Sequence, residues 1–174
     1  MRSAGSSLLA VLALLPACGG ADQEFDGAPA DLRAARYVDA VEYLSTEGDG
    51  GLEGWSVARQ QLRADFDRIC GDTFCEGDYG DLQPLELRCA VEAKSGDLSA
   101  CAWSIAGSSG RVSASTGTLR ISGKLYRCAL PVAGTIDALV QTLAAPGEVP
   151  PLRRPLPGTA RSTFDALADC GLGH

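Results

Sequence analysis

Between Leu85 and Ile105 apolar and polar positions alternate along the chain. Leu85, Leu87, Cys89, Val91 and Ala93 are interleaved with Glu86, Arg88, Ala90, Glu92 and Lys94, and Cys101, Trp103 and Ile105 then resume the apolar set. A period of two marks a strand with one buried face. For both apolar sets to share a face, odd residues must pair with odd residues, which requires a loop with an odd number of residues. Lys94-Ser95-Gly96 supplies one, as a type I turn closed by a left-handed glycine. That register sets Cys89 opposite Cys101 and Leu87 opposite Trp103. Directly opposed residues lie about 4.5 to 5.5 Å apart at Cα, within reach of a disulfide. The pattern leaves open whether the cysteine pair is hydrogen-bonded.

Elsewhere the period lengthens. From Asp31, placed as an N-cap, Tyr37, Val38, Val41 and Leu44 recur at helical spacing until Gly48-Asp49-Gly50-Gly51 interrupts them. Trp55, Ala58, Leu62, Phe66 and Ile69 form the apolar stripe of a second helix ending at Cys70-Gly71. The spacing predicts two antiparallel helices joined by a glycine loop.

Ala106 to Gly110 reads as a turn. Val112 to Val132 reads as a strand, a turn or bulge near Gly117 and Ser122-Gly123, and a further strand carrying Leu125 and Cys128. Thr135 caps a third helix with Ile136, Leu139, Val140 and Leu143 on its buried side. The proline-rich run from Pro146 to Gly158 predicts an irregular or polyproline II connection, with Arg153-Arg154 open to partner docking as an alternative to plain surface loop. Ser162 and Asp165 resemble a capping box for a short last helix. The expected fold class is α+β: two N-terminal antiparallel helices, a three- or four-stranded antiparallel sheet and two C-terminal helices, stapled by disulfides.

The N-terminus changes the picture. Arg2 precedes the apolar run from Leu8 to Leu15, too short to cross a bilayer and suited to the core of a signal peptide. The following Leu15-Pro16-Ala17-Cys18-Gly19 resembles the lipobox of bacterial lipoproteins. That resemblance covers about the first twenty residues. It implies a diacylglyceryl group on the Cys18 thiol, cleavage before Cys18, and acylation of the new amine. Gly19, where enteric inner-membrane lipoproteins carry Asp, favours the outer membrane over the inner. The alternative is an ordinary secretory signal cut near Ala17. The expected organisation is a signal peptide over 1–17, a flexible acidic tether over 18–30, and a stapled α+β domain over 31–174.

Cysteine arithmetic agrees. Removing Cys18 from seven cysteines leaves Cys70, Cys75, Cys89, Cys101, Cys128 and Cys170, an even set that in an exported chain reads as a disulfide framework. The pairing adopted is Cys89–Cys101, Cys70–Cys75 and Cys128–Cys170; only the first rests on geometry.

Charge and chemistry narrow the function. A net charge of -7 argues against nucleic acid as a partner. The one histidine is His174, so histidine-based triads and zinc hydrolysis have no candidate residues in the folded part. Oxygen ligands crowd the loop after the second helix: Asp72, Glu76, Asp78 and Asp81 form a candidate calcium site, following Asp65 and Asp67. The EF-hand spacing is absent, and turn capping by the loop acids, with Asp65 and Asp67 on a solvated helix face, is the competing reading. A carboxylate pair for glycoside-type hydrolysis is a further alternative. The reading favoured by sequence is a non-enzymatic lipoprotein that meets the membrane through its lipid and binds another envelope component, with no cofactor unless calcium.

Overall fold

A computed structural model describes residues 36–70 and 79–172. Four strands form one sheet in the order β1-β2-β3-β4, every neighbouring pair antiparallel: β1 (Tyr37–Asp39), β2 (Asp81–Glu92), β3 (Leu98–Val112) and β4 (Leu119–Leu130). The described helices are α1 (Ala40–Thr46), α2 (Asp49–Cys70), α3 (Ile136–Ala144) and α4 (Thr163–Leu167). The α+β class is as expected.

The core follows from the alternation. Leu87, Cys89, Val91, Cys101, Trp103, Ile105, Tyr126, Cys128 and Leu130 turn to one face of the sheet and are buried. Trp55, Ala58, Leu62 and Phe66 of α2 are buried with them, and the Phe66 and Trp103 rings meet edge to face at 5.5 Å. This is the predicted stripe of the second helix. Helix α3 crosses α2 closely at Gly54, where an added Cβ would lie 2.8 Å from Val140 Cγ1.

The hairpin register is as predicted, with Cys89 opposite Cys101 and Leu87 opposite Trp103, but it is reached differently. The loop has four residues, Ala93 to Gly96, closed by Glu92 N–H donating to Asp97 O at 2.8 Å. A bulge then restores the odd register: Ala90 pairs with Ala100 and Val91 with Leu98, leaving Ser99 as the extra residue. The bulge turns both Val91 and Leu98 inward. Gly96 has the predicted left-handed backbone, φ +76°, and a Cβ there would meet the Tyr43 hydroxyl at 2.6 Å.

Several expectations are corrected. Tyr37 and Val38 belong to a strand, not to a helix, because β1 pairs with Val91 and its neighbours along the edge of β2. The helix begins only at Ala40, where the Asp39 carboxylate caps it by accepting from Val41 N–H at 3.0 Å. Val41 is therefore exposed, and the proposed cap Asp31 lies outside the described residues. Leu85 leaves the apolar face because a second bulge between Pro84 and Leu87 shifts the phase. The Gly-Ser stretch from Ala106 to Gly110 is not a turn but lies within the second half of β3, paired throughout with β4. Gly107 is small for packing: a Cβ would lie 3.0 Å from both Leu82 Cδ2 and Tyr79 Cβ. Ser122-Gly123 likewise stays inside an unbroken β4.

The proline-rich run is packed down rather than free. Pro151, Leu152 and Leu156 are buried, and Pro151–Arg153 is a single 3-10 turn. Arg154 donates to the carbonyls of Thr142 (2.9 Å) and Ala145 (2.6 Å), satisfying orphan acceptors at the end of α3, and to that of Val149 (2.8 Å) in the following loop. Arg153 lies over the Phe164 ring at 4.7 Å. The capping box at α4 forms as expected from Ser162 and Asp165.

Candidate binding surface

All five cysteines among the described residues are disulfide-bonded. Cys89–Cys101 joins β2 to β3 with a Cα separation of 4.1 Å, the short spacing of a non-hydrogen-bonded pair. Cys128–Cys170 ties the segment after α4 to the sheet. Cys70 is also bonded; its expected partner Cys75 and the lipid-attachment candidate Cys18 lie outside the described residues.

Asp72, Glu76 and Asp78 of the candidate calcium loop are likewise outside the described residues. Asp81 begins β2, and its carboxylate accepts the Ser108 hydroxyl at 2.9 Å. Asp65 departs from the solvated-face reading: it is buried, ion-paired to Arg68, and accepts the Leu152 N–H at 3.3 Å. Its work is to fasten α2 to the proline-rich segment. Asp67 stays exposed.

The side of the sheet turned away from the core is where functional geometry remains. It carries Arg88, Ala90, Ala100, Ala102, Ser104, Ala106, Arg127 and Ala129, none of them buried. Near β1 it holds a wide-open depression of about 450 Å³ over the Cys89–Cys101 bridge, edged by Tyr37, Asp39, Glu42 and Arg88. Arg88 bonds Asp39 at 2.9 Å and Glu86 at 3.3 Å, so the charges at that edge neutralise one another.

At the opposite end the sheet narrows to an arm. Pairing of β2 with β3 ends at Asp81 and Ser108, whereas β3 and β4 stay paired to Val112 and Leu119, leaving a two-stranded hairpin among the described residues. Its tip is closed by Ser113 N–H to Thr118 O at 2.9 Å and by Gly117 at φ +68°. Strand alternation sorts the arm into two faces. Val112, Leu119, Ile121 and Leu125 continue the outer face, with exposures of 69, 57, 74 and 48%. Arg111, Arg120 and Lys124 occupy the other, extending the core face past the core, and Lys124 Nζ sits 4.2 Å over the Tyr126 ring.

The acidic character of the chain stops at this arm. No Asp or Glu occurs between Asp97 and Asp137, while Arg111, Arg120, Lys124 and Arg127 all fall there. Arg111 and Arg120 are directly opposed across the ladder, where like charges repel, and among the described residues none of the four cations has an ion pair. Sequence reasoning passed over this surface because it took net charge over the whole chain and broke β4 at Ser122-Gly123. The acid-free run was readable, and it was the signal.

The fold and surface define a disulfide-stapled α+β domain: a four-stranded antiparallel sheet, helices on one face, the other left open by the described residues and prolonged into a cationic, apolar-faced arm. No protein-family model, curated protein or solved structure matches this chain. Among the described residues no helix is long and apolar enough to cross a membrane.

Proposed function

We propose that this protein is a lipid-anchored module of the bacterial envelope that works by binding rather than by catalysis. The observation carrying the reading is that every described cysteine is bonded, since structural disulfides form and persist in oxidising compartments outside the cytoplasm. Export supports the signal-peptide reading of the N-terminus and, with it, lipid on Cys18. The tether over 18–30 then spaces the domain from the bilayer, the outer membrane being favoured. The open face of the sheet and its arm are the surface offered to another envelope component.

Palmitate labelling of the intact chain, with Cys18→Ala as control, tests the anchor. The expected outcome is label on the wild type alone and release of the Cys18→Ala protein from the membrane fraction. Absence of label on the wild type, or a Cys18→Ala protein that stays membrane-bound, refutes the reading.

A further inference from the structure

We propose that the β3–β4 arm is an interfacial membrane-binding element, laying its apolar face into an anionic lipid surface and offering its cations to the headgroup phosphates. The inference deepens the envelope reading above and rests on it for the presence of a nearby bilayer. The arm's own chemistry supplies the rest.

Three features converge on a charged bilayer. Val112, Leu119, Ile121 and Leu125 share one face of a hairpin that the described residues leave uncovered. Arg111, Arg120 and Lys124 share the opposite face, and among the described residues none of them has an ion pair. Apolar residues on one face and Lys or Arg on the other is the distribution that holds a segment in the plane of a lipid interface. With the apolar face sunk in the interface, the cations on the opposite face stand at headgroup depth, where their long side chains can lean onto the phosphates. The opposed Arg111 and Arg120 are an intramolecular repulsion that an anionic surface relieves.

Other occupants fit less well. A second copy pairing through β4 would bring further cations against Arg120 and Lys124, adding to the repulsion already present. A polynucleotide would answer the cations but leave Leu119 and Ile121 in water. The outer face leads from the arm back toward β1 through Ala106, Ser104 and Ala102, carrying Arg127, Arg88 and the depression beside β1, so laying the arm on a bilayer turns that whole face toward the lipid. From Cys18 to Arg36 the chain spans at most about 60 Å, ample for that placement.

The test places a fluorescent reporter on the arm of the full chain. The native Trp55 and Trp103 are 2 and 1% exposed and do not meet lipid, so Ile121→Trp adds a distinct signal. The protein is mixed with vesicles containing brominated phosphatidylcholine, alone or with equal phosphatidylglycerol. Quenching confined to the phosphatidylglycerol vesicles and weakened by high salt is expected. Arg111→Gln, Arg120→Gln and Lys124→Gln should each reduce binding roughly fivefold with no loss of melting temperature, the two arginine variants melting slightly higher as their mutual repulsion is removed. Quenching absent from both vesicles, or equal in both, overturns the proposal. So does protection of position 121 by polyglutamate or DNA with no response to vesicles. Loss of palmitate label with quenching retained would remove the Cys18 anchor and leave the arm; label present without quenching would do the reverse.

Discussion

Asp65 shows how a single side chain is judged by what surrounds it. On a helix, three residues from Arg68 and two from Asp67, it has the sequence signature of a solvated face, yet it is buried and holds the Leu152 N–H. Asp65→Ala is expected to leave that donor unsatisfied and to cost about 1–3 kcal/mol, read by urea denaturation. Asp165 is a second case. The Ser162 backbone N–H, and then its hydroxyl, hold this carboxyl below the usual carboxylate range. Because the folded value lies below the unfolded one, the stabilisation is fully present above about pH 4 and is lost as pH falls through the depressed value. Melting temperatures of wild type and Asp165→Asn should therefore differ at neutral pH and converge in acid. Ser162→Ala should cost about 1 kcal/mol as a lost cap.

Among the elements, α2 was legible along most of its length because a 3.6-residue stripe survives any tertiary arrangement. What the stripe does not show is the crossing with α3. Gly54→Ala ought to stabilise an isolated helix by about 1 kcal/mol, but here the new methyl would sit against Val140 Cγ1. A net loss of about 1–2 kcal/mol in a thermal melt is expected from overpacking, recovered in the Gly54→Ala/Val140→Ala double variant as a coupling between the two sites. Strand β3 is the opposite case. Its Gly-Ser stretch has turn composition, and the strand runs through it because of the ladder with β4 and the packing of Tyr79, Leu82 and Tyr126 around Gly107. Strand β1 is decided further away still, since Tyr37 to Asp39 become extended by pairing with a partner more than fifty residues on.

For the molecule as a whole the two described bridges differ in reach. Cys89–Cys101 spans 12 residues of sequence and Cys128–Cys170 spans 42. On the chain-entropy account, replacing both cysteines of the first bridge by Ser should cost about 3 kcal/mol and of the second about 4 kcal/mol. Equilibrium unfolding of the two double variants checks the order. Equal losses would show that native packing, already dense around Cys89, Cys101 and Cys128, outweighs restriction of the unfolded chain. Charge is also organised at this scale: a chain of net charge -7 confines four cations to a stretch without acids, and the topology projects part of that stretch past the rest of the sheet.

Local pattern alone was enough to place the β2–β3 register, the Cys89–Cys101 pair, the stripe of α2, the Thr135 cap and the Ser162–Asp165 box. Each depends on neighbours in sequence or on a parity rule that one hairpin must obey, and parity survived even though the loop has four residues and a bulge makes up the difference. Tertiary structure decided β1, the continuity of β3 and β4 through their glycines, the burial of Asp65 and the two-faced arm. Those features are set by backbone hydrogen bonds and packing between distant segments, whose energies exceed the local preferences of Gly, Ser and Asp.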